Sequence, residues 1–341
     1  MTWLQALFLF IPFAVLWNFL RRRKPISFEG ETNNVSSPIP VFYGPLGYLK
    51  ALLAWIFLFS RTFMVRPGLY YTGSNDPEVP LLVTGNFYLT IFLLVRRLRQ
   101  YNVRLLVINT EGINVWCSAG KGKFSAREII SKARDCDLLE ENKKLKLILP
   151  KLSLSGVNLV ELRRAGINPV IGPVYAKDVP EFLNSGKITD RSYDRIRFGI
   201  KHRTFTALPS AVQFLFYFLG IYVISFGWLE QSIVWIATVL AFIYPILFPY
   251  LPGKLFAVKG ISLGTAAAWL VLIFSLISDP GDLISNLYLL AFILATSILV
   301  GLSYTGNSPI SNYTLVRKEI AKFLPVLLVI YVISLVLYVL L

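Results

Sequence analysis

The sequence predicts two joined structures: an α/β domain built on a parallel sheet, and an α-helical domain that crosses a membrane several times. Three observations lead there. Of 341 residues, 55% are hydrophobic and only 16% charged, where soluble domains average about 25% charged. The charge is also divided, since residues 207–341 hold five Lys or Arg and four Asp or Glu, whereas residues 1–206 hold 29 and 15. Between about residues 61 and 205, short β-rich runs alternate with helical ones, as crossover helices between parallel strands require. A mean hydropathy of +0.61 excludes a disordered chain. The two cysteines, Cys117 and Cys136, are too few for a disulfide framework, a four-cysteine zinc site or an iron–sulfur cluster held by this chain alone. One histidine, His202, excludes a multi-histidine metal centre.

Taken in chain order, Trp3–Leu20 is an apolar run of 18 residues, long enough to span a bilayer. It has no charged leader and no small-residue cleavage site, so it reads as a retained anchor. Arg21, Arg22, Arg23 and Lys24 follow, which puts residue 21 onward in the cytoplasm and the N-terminus outside. Residues 25–45, with Pro25, Pro38, Pro40 and Pro45, read as a linker. The apolar run Ala51–Ser60 is too short to span; it predicts an interfacial helix or one packed on the membrane domain.

Strands are expected at Leu81–Thr84, Arg104–Asn109, Leu145–Leu149 and Pro169–Ile171. Helices are expected at Leu89–Gln100, Ser125–Arg134 and Val157–Ala165. Five spans follow, at 207–228, 232–250, 261–277, 283–302 and 323–341, with no ionisable residue in their interiors. That argues against an ion-coupled carrier; Pro245 and Pro249 read as kinks. Alternate loops carry Glu230 and Asp279/Asp282, and the others carry Lys254/Lys259 and Arg317/Lys318/Lys322. The positive-inside rule is then met at every crossing, with six spans and both termini outside. The expected division is an anchor at 1–20, a linker and interfacial helix at 21–60, a cytoplasmic domain at 61–205 and a five-helix membrane domain at 206–341.

The densest unusual stretch is Thr110–Glu128. It follows an expected strand, so it lies at a carboxyl end, where open α/β sheets bind ligands. Asn114 is placed to cap a short helix running to about Ala119, and Ser125 with Glu128 forms a capping box for the next. Cys117 then falls in a first turn with Lys121 four positions on, both of which favour a thiolate. Gly120-Lys121-Gly122-Lys123 is not a Walker loop, because neither lysine is followed by Ser or Thr.

The octet Asn114-Val115-Trp116-Cys117-Ser118-Ala119-Gly120-Lys121 closely resembles the cap-helix signature of the mercury-methylating corrinoid protein family (HgcA). That family is related to the corrinoid iron–sulfur protein, the corrinoid subunit of CO dehydrogenase–acetyl-CoA synthase. Val65–Tyr70 and Leu82–Phe87 are similar to the start and first core strand of the family's corrinoid domain. Leu149-Pro150 and Gly172-Pro173-Val174 are similar to its later strand ends. Tyr304-Thr305-Gly306 and Val316–Glu319 are similar to its last cytoplasmic loop, so the likeness runs over roughly residues 60–341. Ser118 stands where the family usually has Ala, and the N-terminal span and linker are additional.

The resemblance implies a Rossmann-like domain that binds a cobalt corrinoid, with Cys117 as the lower axial cobalt ligand. A soft thiolate suits that metal. The histidine-ligated corrinoid class uses Asp-x-His-x-x-Gly, which Ile200–Thr204 does not match. A lone cysteine is most often a small core residue; inside this octet the ligand reading prevails. Cys136, flanked by Asp135 and Asp137, reads as structural. Cofactor contact is expected from Thr84, Asn86, Thr110 and Gly112, from the octet with Gly122, and from Pro150, Gly172 and Pro173. Trp116 is as well suited to packing the helix on the sheet, and Lys121 and Lys123 to a solvated face.

The implied activity is that of a membrane-bound corrinoid methyltransferase, passing a methyl group from a methyl-pterin donor by way of cobalt to Hg(II) and giving methylmercury. The alternatives are a corrinoid methyl carrier in one-carbon metabolism and a non-catalytic corrinoid-binding module. The implied partners are a ferredoxin-like iron–sulfur protein as electron donor, met near Lys121, Lys123 and Arg127, and the methyl-pterin donor or its methyltransferase. For the basic groups Arg96, Arg97, Arg99, Lys143, Lys144 and Lys146, anionic lipid leads over an acidic partner or plain solubility. No basic stripe interleaved with aromatic residues points to nucleic acid.

Overall fold

The computed structural model describes residues 36–38, 45–57, 63–141, 144–185, 196, 198–225, 230–278, 283–305 and 313–340. The expected Trp3–Leu20 span, the Arg21–Lys24 cluster, most of the linker, Lys143 and Gly306 lie outside these residues. The chain forms two compact units that divide between Ile196 and Phe198.

The first unit carries a six-stranded sheet of β1 (Ser36–Pro38), β2 (Gly68–Thr72), β3 (Leu81–Gly85), β4 (Val103–Ile108), β5 (Leu145–Leu149) and β6 (Ile167–Ile171). Their order is β1-β2-β4-β3-β5-β6. β4, β3, β5 and β6 run parallel, with Leu81 opposite both Arg104 and Leu147. β2 runs antiparallel to β4, with Tyr70 opposite Leu105, and β1 pairs parallel to β2. The four expected strands thus run parallel, as the alternation predicts, within a sheet that is mixed as a whole. Its parallel core carries two further strands on one edge, one of them inside the stretch expected to be linker.

The helices of this unit are α1 (Pro45–Phe57), α2 (Tyr88–Leu98), α3 (Val115–Gly120), α4 (Ala126–Asp135), α5 (Leu138–Glu141), α6 (Leu159–Arg164) and α7 (Val179–Ser185). They cover both faces of the sheet, which is why every residue of β4 is buried and its sequence does not alternate. On one face Leu81, Val83, Leu106 and Ile108 pack with Ile129 and Ala133 of α4 and Leu162 of α6. On the other, Leu82, Leu105 and Val107 pack with Ile91, Val95 and Leu98 of α2 and Phe182 of α7. α1 joins the second face: Ala51 is buried there, Tyr48 meets Phe92 edge-on at 5.2 Å, and the Tyr88 hydroxyl donates to Gly47 O at 3.3 Å. This is the helix expected at Ala51–Ser60, begun earlier and packed on the sheet unit.

From β3 the chain moves to β4 on one side, then returns past β3 to β5 and β6 on the other. The order reverses between β3 and β5, and it is outside the carboxyl ends at such a switch point that open α/β sheets bind ligands.

The second unit contains α8 (Ile200–Ile224), α9 (Gln231–Leu247), α10 (Phe256–Ser278), α11 (Leu283–Tyr304) and α12 (Tyr313–Val339). Stretches of α8, α10, α11 and α12 are long and apolar enough to cross a membrane. α9, expected to span over 232–250, has 17 residues, about 26 Å at 1.5 Å per residue, short of a hydrocarbon core of about 30 Å. Its end at Leu247 lies two residues before Pro249, which has no N–H to carry the helical ladder further. α10 and α11 approach closely at Gly260, where a Cβ would stand 2.4 Å from Ser297 O. With Gly264, this is a small-xxx-small contact of the kind that joins membrane helices.

Three helices begin several residues before the expected spans and bring ionisable groups inside. Arg203, Lys259 and Glu319 are all buried, and each meets backbone at a helix end. Arg203 Nη1 donates to Ile246 O, and Lys259 Nζ donates to Phe248 O at 2.9 Å and to Leu251 O. Two cations thus satisfy orphan carbonyls at the negative end of α9. The Glu319 carboxylate accepts from Ala257 N at 2.6 Å, at the positive end of α10. These contacts fix the α9–α10 connection. Glu319→Ala leaves that amide without its acceptor in a buried site, and is expected to cost about 2–3 kcal/mol. The check is thermal unfolding of the full chain in detergent, where an unchanged midpoint would contradict the capping role.

Candidate functional site

Three carboxyl ends lie side by side at this switch point: Gly85-Asn86 after β3, Asn109-Thr110 after β4 and Pro150 after β5. β3 and the loop after β4 approach so closely that a Cβ on Gly85 would stand 2.7 Å from Thr110 Oγ1. Asn86, fully buried, ties them together. Its Oδ1 accepts from Thr110 N at 3.0 Å and Gly112 N at 2.9 Å, and its own N–H donates to Thr110 Oγ1 at 3.2 Å. The Thr110 hydroxyl lies 2.7 Å from Ile113 O, which accepts its proton. Two N–H donors on Oδ1 fix the orientation of the amide, so Nδ2 is left as a buried donor with no protein partner.

The loop then turns through Glu111 and Gly112, both with φ in the left-handed region, at 55° and 69°. It leads into α3, where Asn114 Oδ1 accepts from Cys117 N at 2.8 Å, an N-cap at the residue expected. The helix divides the octet by face. Val115, Ser118 and Ala119 are buried, with Val115 and Ala119 in the core shared with α4, whereas Asn114, Gly120 and Lys121 are exposed and Trp116 and Cys117 half-buried. Val115, Ser118 and Ala119 thus turn their side chains to the core, because a helix that packs one face on a core presents only the other. The Ser118 hydroxyl donates to Val115 O at 2.9 Å and so turns back into the helix, away from Cys117. Ser118→Ala is accordingly expected to change stability by less than about 1 kcal/mol and to leave ligand binding unaltered, as thermal unfolding and cofactor titration would show.

Behind α3 lies the one-turn helix Lys151–Ser153 after β5, with Ser153 Oγ donating to Pro150 O at 2.8 Å. Gly156 sits directly against the cap helix: a Cβ there would stand 2.5 Å from Ala119 O and 2.7 Å from Phe124 O. Sequence reasoning did not single out Gly156; the Ser-Gly pair after an expected strand was the available signal. Glu111 was missed as well. Its carboxylate meets Lys123 Nζ at 2.7 Å, closing the loop from the far side of α3. Lys123, expected on a solvated face or against a partner, is thereby paired with Glu111, while Lys121 and Arg127 are exposed. Ser125 caps α4 through Glu128 N at 3.3 Å, but the Glu128 carboxylate accepts from Asn109 N at 3.3 Å, so only half of the expected capping box forms.

The electrostatics of Cys117 differ from expectation. Burial pushes its thiol above the usual range, and Lys121 and the Asn114 side chain offset this only in part. A six-residue helix supplies few aligned peptides, so desolvation wins. Cys136 is buried in the core below α4, and its thiol too is raised by burial. Thr84 is buried in β3, and Gly172 and Pro173 are buried after β6. Gly172 N donates to Leu149 O at 2.8 Å, and a Cβ at Gly172 would stand 2.9 Å from Ile148 Cγ2. Pro150 is half-buried at the switch point. His202 lies on α8 against Phe198, with ring centroids 6.0 Å apart.

Residues 61–168 match the family model described as CO dehydrogenase/acetyl-CoA synthase delta subunit. The chain is 31% identical over 121 residues to an acetyl-CoA decarbonylase/synthase complex subunit gamma of Methanopyrus kandleri, covering 35% of this chain and 26% of that one. It is 29% identical over 112 residues to the protein of the same description from Archaeoglobus fulgidus, covering 32% and 24%. Over 122 residues it is 27% identical to that of Methanothermobacter thermautotrophicus, covering 35% and 26%. The chain thus spans about a quarter of the length of the curated relatives it matches, and the matched region holds β2 to β5 and the cap helix.

Proposed function

We propose that this chain is a membrane-bound corrinoid methyltransferase of the mercury-methylating type, with Cys117 as the lower ligand of the cobalt. The observation that carries the reading is the cap helix. Its inward face is locked by Val115, Ala119 and Gly156, and its outward face holds Cys117 beside the switch point at the sheet's carboxyl edge. Similarity to gamma subunits of the acetyl-CoA decarbonylase/synthase complex supports corrinoid-dependent methyl transfer in general. The Asn114–Lys121 octet is what favours Hg(II) as the acceptor over a one-carbon metabolite.

The residues present suit such a group. A corrinoid carries a rim of amide side chains, and the buried Asn86 Nδ2, which has no protein partner, offers them a donor at the switch point. A Cβ on Gly120 would meet nothing within 4 Å, so the outer side of α3 is open at that end. When bound, the corrinoid supplies a cobalt that accepts and gives up a methyl group. The protein holds Cys117 at a fixed place through the Asn114 cap, and its thiol, raised by burial, would have to give up its proton to ligate a metal. Trp116, the preceding residue of the helix, is half-buried and adds apolar surface there. Exposed Lys121 and Arg127 offer positive charge to an acidic electron-donor protein of the ferredoxin type. Such a donor is required because two cysteines cannot hold a four-iron cluster.

The test is to load the full chain in detergent with hydroxocobalamin, then supply a methyl-pterin, a low-potential reductant and Hg(II). Methylmercury that depends on the loaded protein and on the reductant supports the reading. Methyl transfer only to a thiol or a one-carbon acceptor would move the chain to the general methyl-carrier role. Failure to retain cobalamin would overturn both.

A further inference from the structure

The most exposed apolar surface of the sheet unit lies on α1 and α2, and we infer that it docks on the anionic surface of a lipid bilayer. Along α1, Leu46, Tyr48, Leu49 and Leu52 are 79%, 46%, 50% and 45% exposed. Ala51 and Ala54, on the opposite side of that helix, are buried. On α2, Leu93 is 43% exposed, and Arg96 and Arg97 project from the same helical face. The two helices form one surface. The Arg96 guanidinium lies 5.7 Å from the Tyr48 ring centre and Lys50 Nζ lies 4.6 Å from that of Tyr88.

A row of exposed leucines and a tyrosine, rimmed by Lys50, Arg96 and Arg97, is the chemistry of an interfacial helix. Apolar side chains enter the headgroup boundary while cations meet lipid phosphates. No acidic residue occurs in α1 or α2, so nothing on these helices repels an anionic surface. The occupant is argued from the chain itself. Fifteen positions separate Ser185, the end of α7, from Ile200, the start of an apolar helix long enough to span. That length of chain reaches at most about 50 Å. The unit is therefore tethered to a membrane, and a weak surface affinity acts at high effective concentration. Lys144 and Lys146 instead line a cavity of about 320 Å³ with Arg104, Leu81 and Phe182. Docking by α1 and α2 also uses the sheet face opposite α4 and α6. The cap helix shares its core with that second pair, so Cys117 stays open to a water-soluble partner.

The experiment places an environment-sensitive fluorescent amino acid at Leu49 of the full chain, with a control chain labelled at Val160. Val160 is 51% exposed on α6, on the other sheet face. Each chain is reconstituted in nanodiscs of phosphatidylcholine alone or with about 30 mol% phosphatidylglycerol, and quenched by lipid carrying a shallow nitroxide. Docking predicts quenching at position 49 at least about twofold stronger than at 160, and stronger in the anionic discs. Arg96→Gln with Arg97→Gln should remove the anionic increment. Equal quenching at the two positions, or none at 49, overturns the inference. So does burial of position 49 that rises with protein concentration, which would mark a second copy as the occupant. Because no cofactor is needed, failure here is distinguishable from failure of the methyl-transfer reading.

Discussion

Cys117→Ala is expected to lower methyl transfer by roughly 100-fold or more, since loss of a metal ligand exceeds the 10–100-fold cost of losing the group behind it. The fold should survive. Cys117 is half-buried on the outward face of α3, its backbone N–H keeps the Asn114 cap, and alanine is the better helix former. The melting temperature should therefore stay within about 2 °C, while absorption arising from cobalt–sulfur ligation disappears. Cys136→Ala should behave in the opposite way. Its side chain is 7% exposed in the core, so truncation should cost about 1–2 kcal/mol with normal activity per folded molecule. A Cys117→Ala protein active within threefold of the parent would refute the ligand role. An intact, stable but inactive Cys136→Ala protein would show the wrong cysteine had been chosen.

Asn86→Leu should produce the largest loss of stability in the sheet unit. Leucine has the same branched skeleton as asparagine but no acceptor, so Thr110 N and Gly112 N would both be stranded in a dry site. Each unsatisfied buried donor costs about 1–3 kcal/mol; the pair should cost about 3–5 kcal/mol and lower the melting temperature by roughly 10 °C. Asn86→Asp keeps an acceptor for both amides and should lose less. Hydrogen exchange over residues 109–113 separates this local effect from general destabilisation, because those amides should open first. Little change there, together with an unaltered melting temperature, would show that the loop is held by other contacts. Corrinoid affinity should fall in both variants, as both remove the amide donor.

Much of this architecture was legible because short-range patterns suffice to write it. Apolar runs bounded by turns placed β3 to β6, Asn114 announced the start of α3, and Ser125 that of α4. The octet drew attention to Cys117 before any geometry was known. β2 escaped because Gly68–Thr72 is a strand by virtue of its pairing with β4, an antiparallel partner more than 30 positions away. α1 was expected near a membrane, yet its inward alanines pack on α2.

By itself, then, the sequence determined the division between an apolar helical region and a sheet domain, the crossover pattern and the residues of the cap helix, since composition, periodicity and capping act within a few turns of chain. Only the tertiary structure decided which side of α3 faces outward, because that depends on Gly156 and the α4 core on the far side. It decided that Lys123 is held by Glu111 and that the Cys117 thiol is raised where the helix N-terminus alone would have lowered it. It also decided that Arg203, Lys259 and Glu319 lie inside helices, capping the ends of their neighbours. Each of these is set by burial and by partners distant in sequence, and desolvation depends on the surroundings of a group, which its neighbours along the chain do not fix.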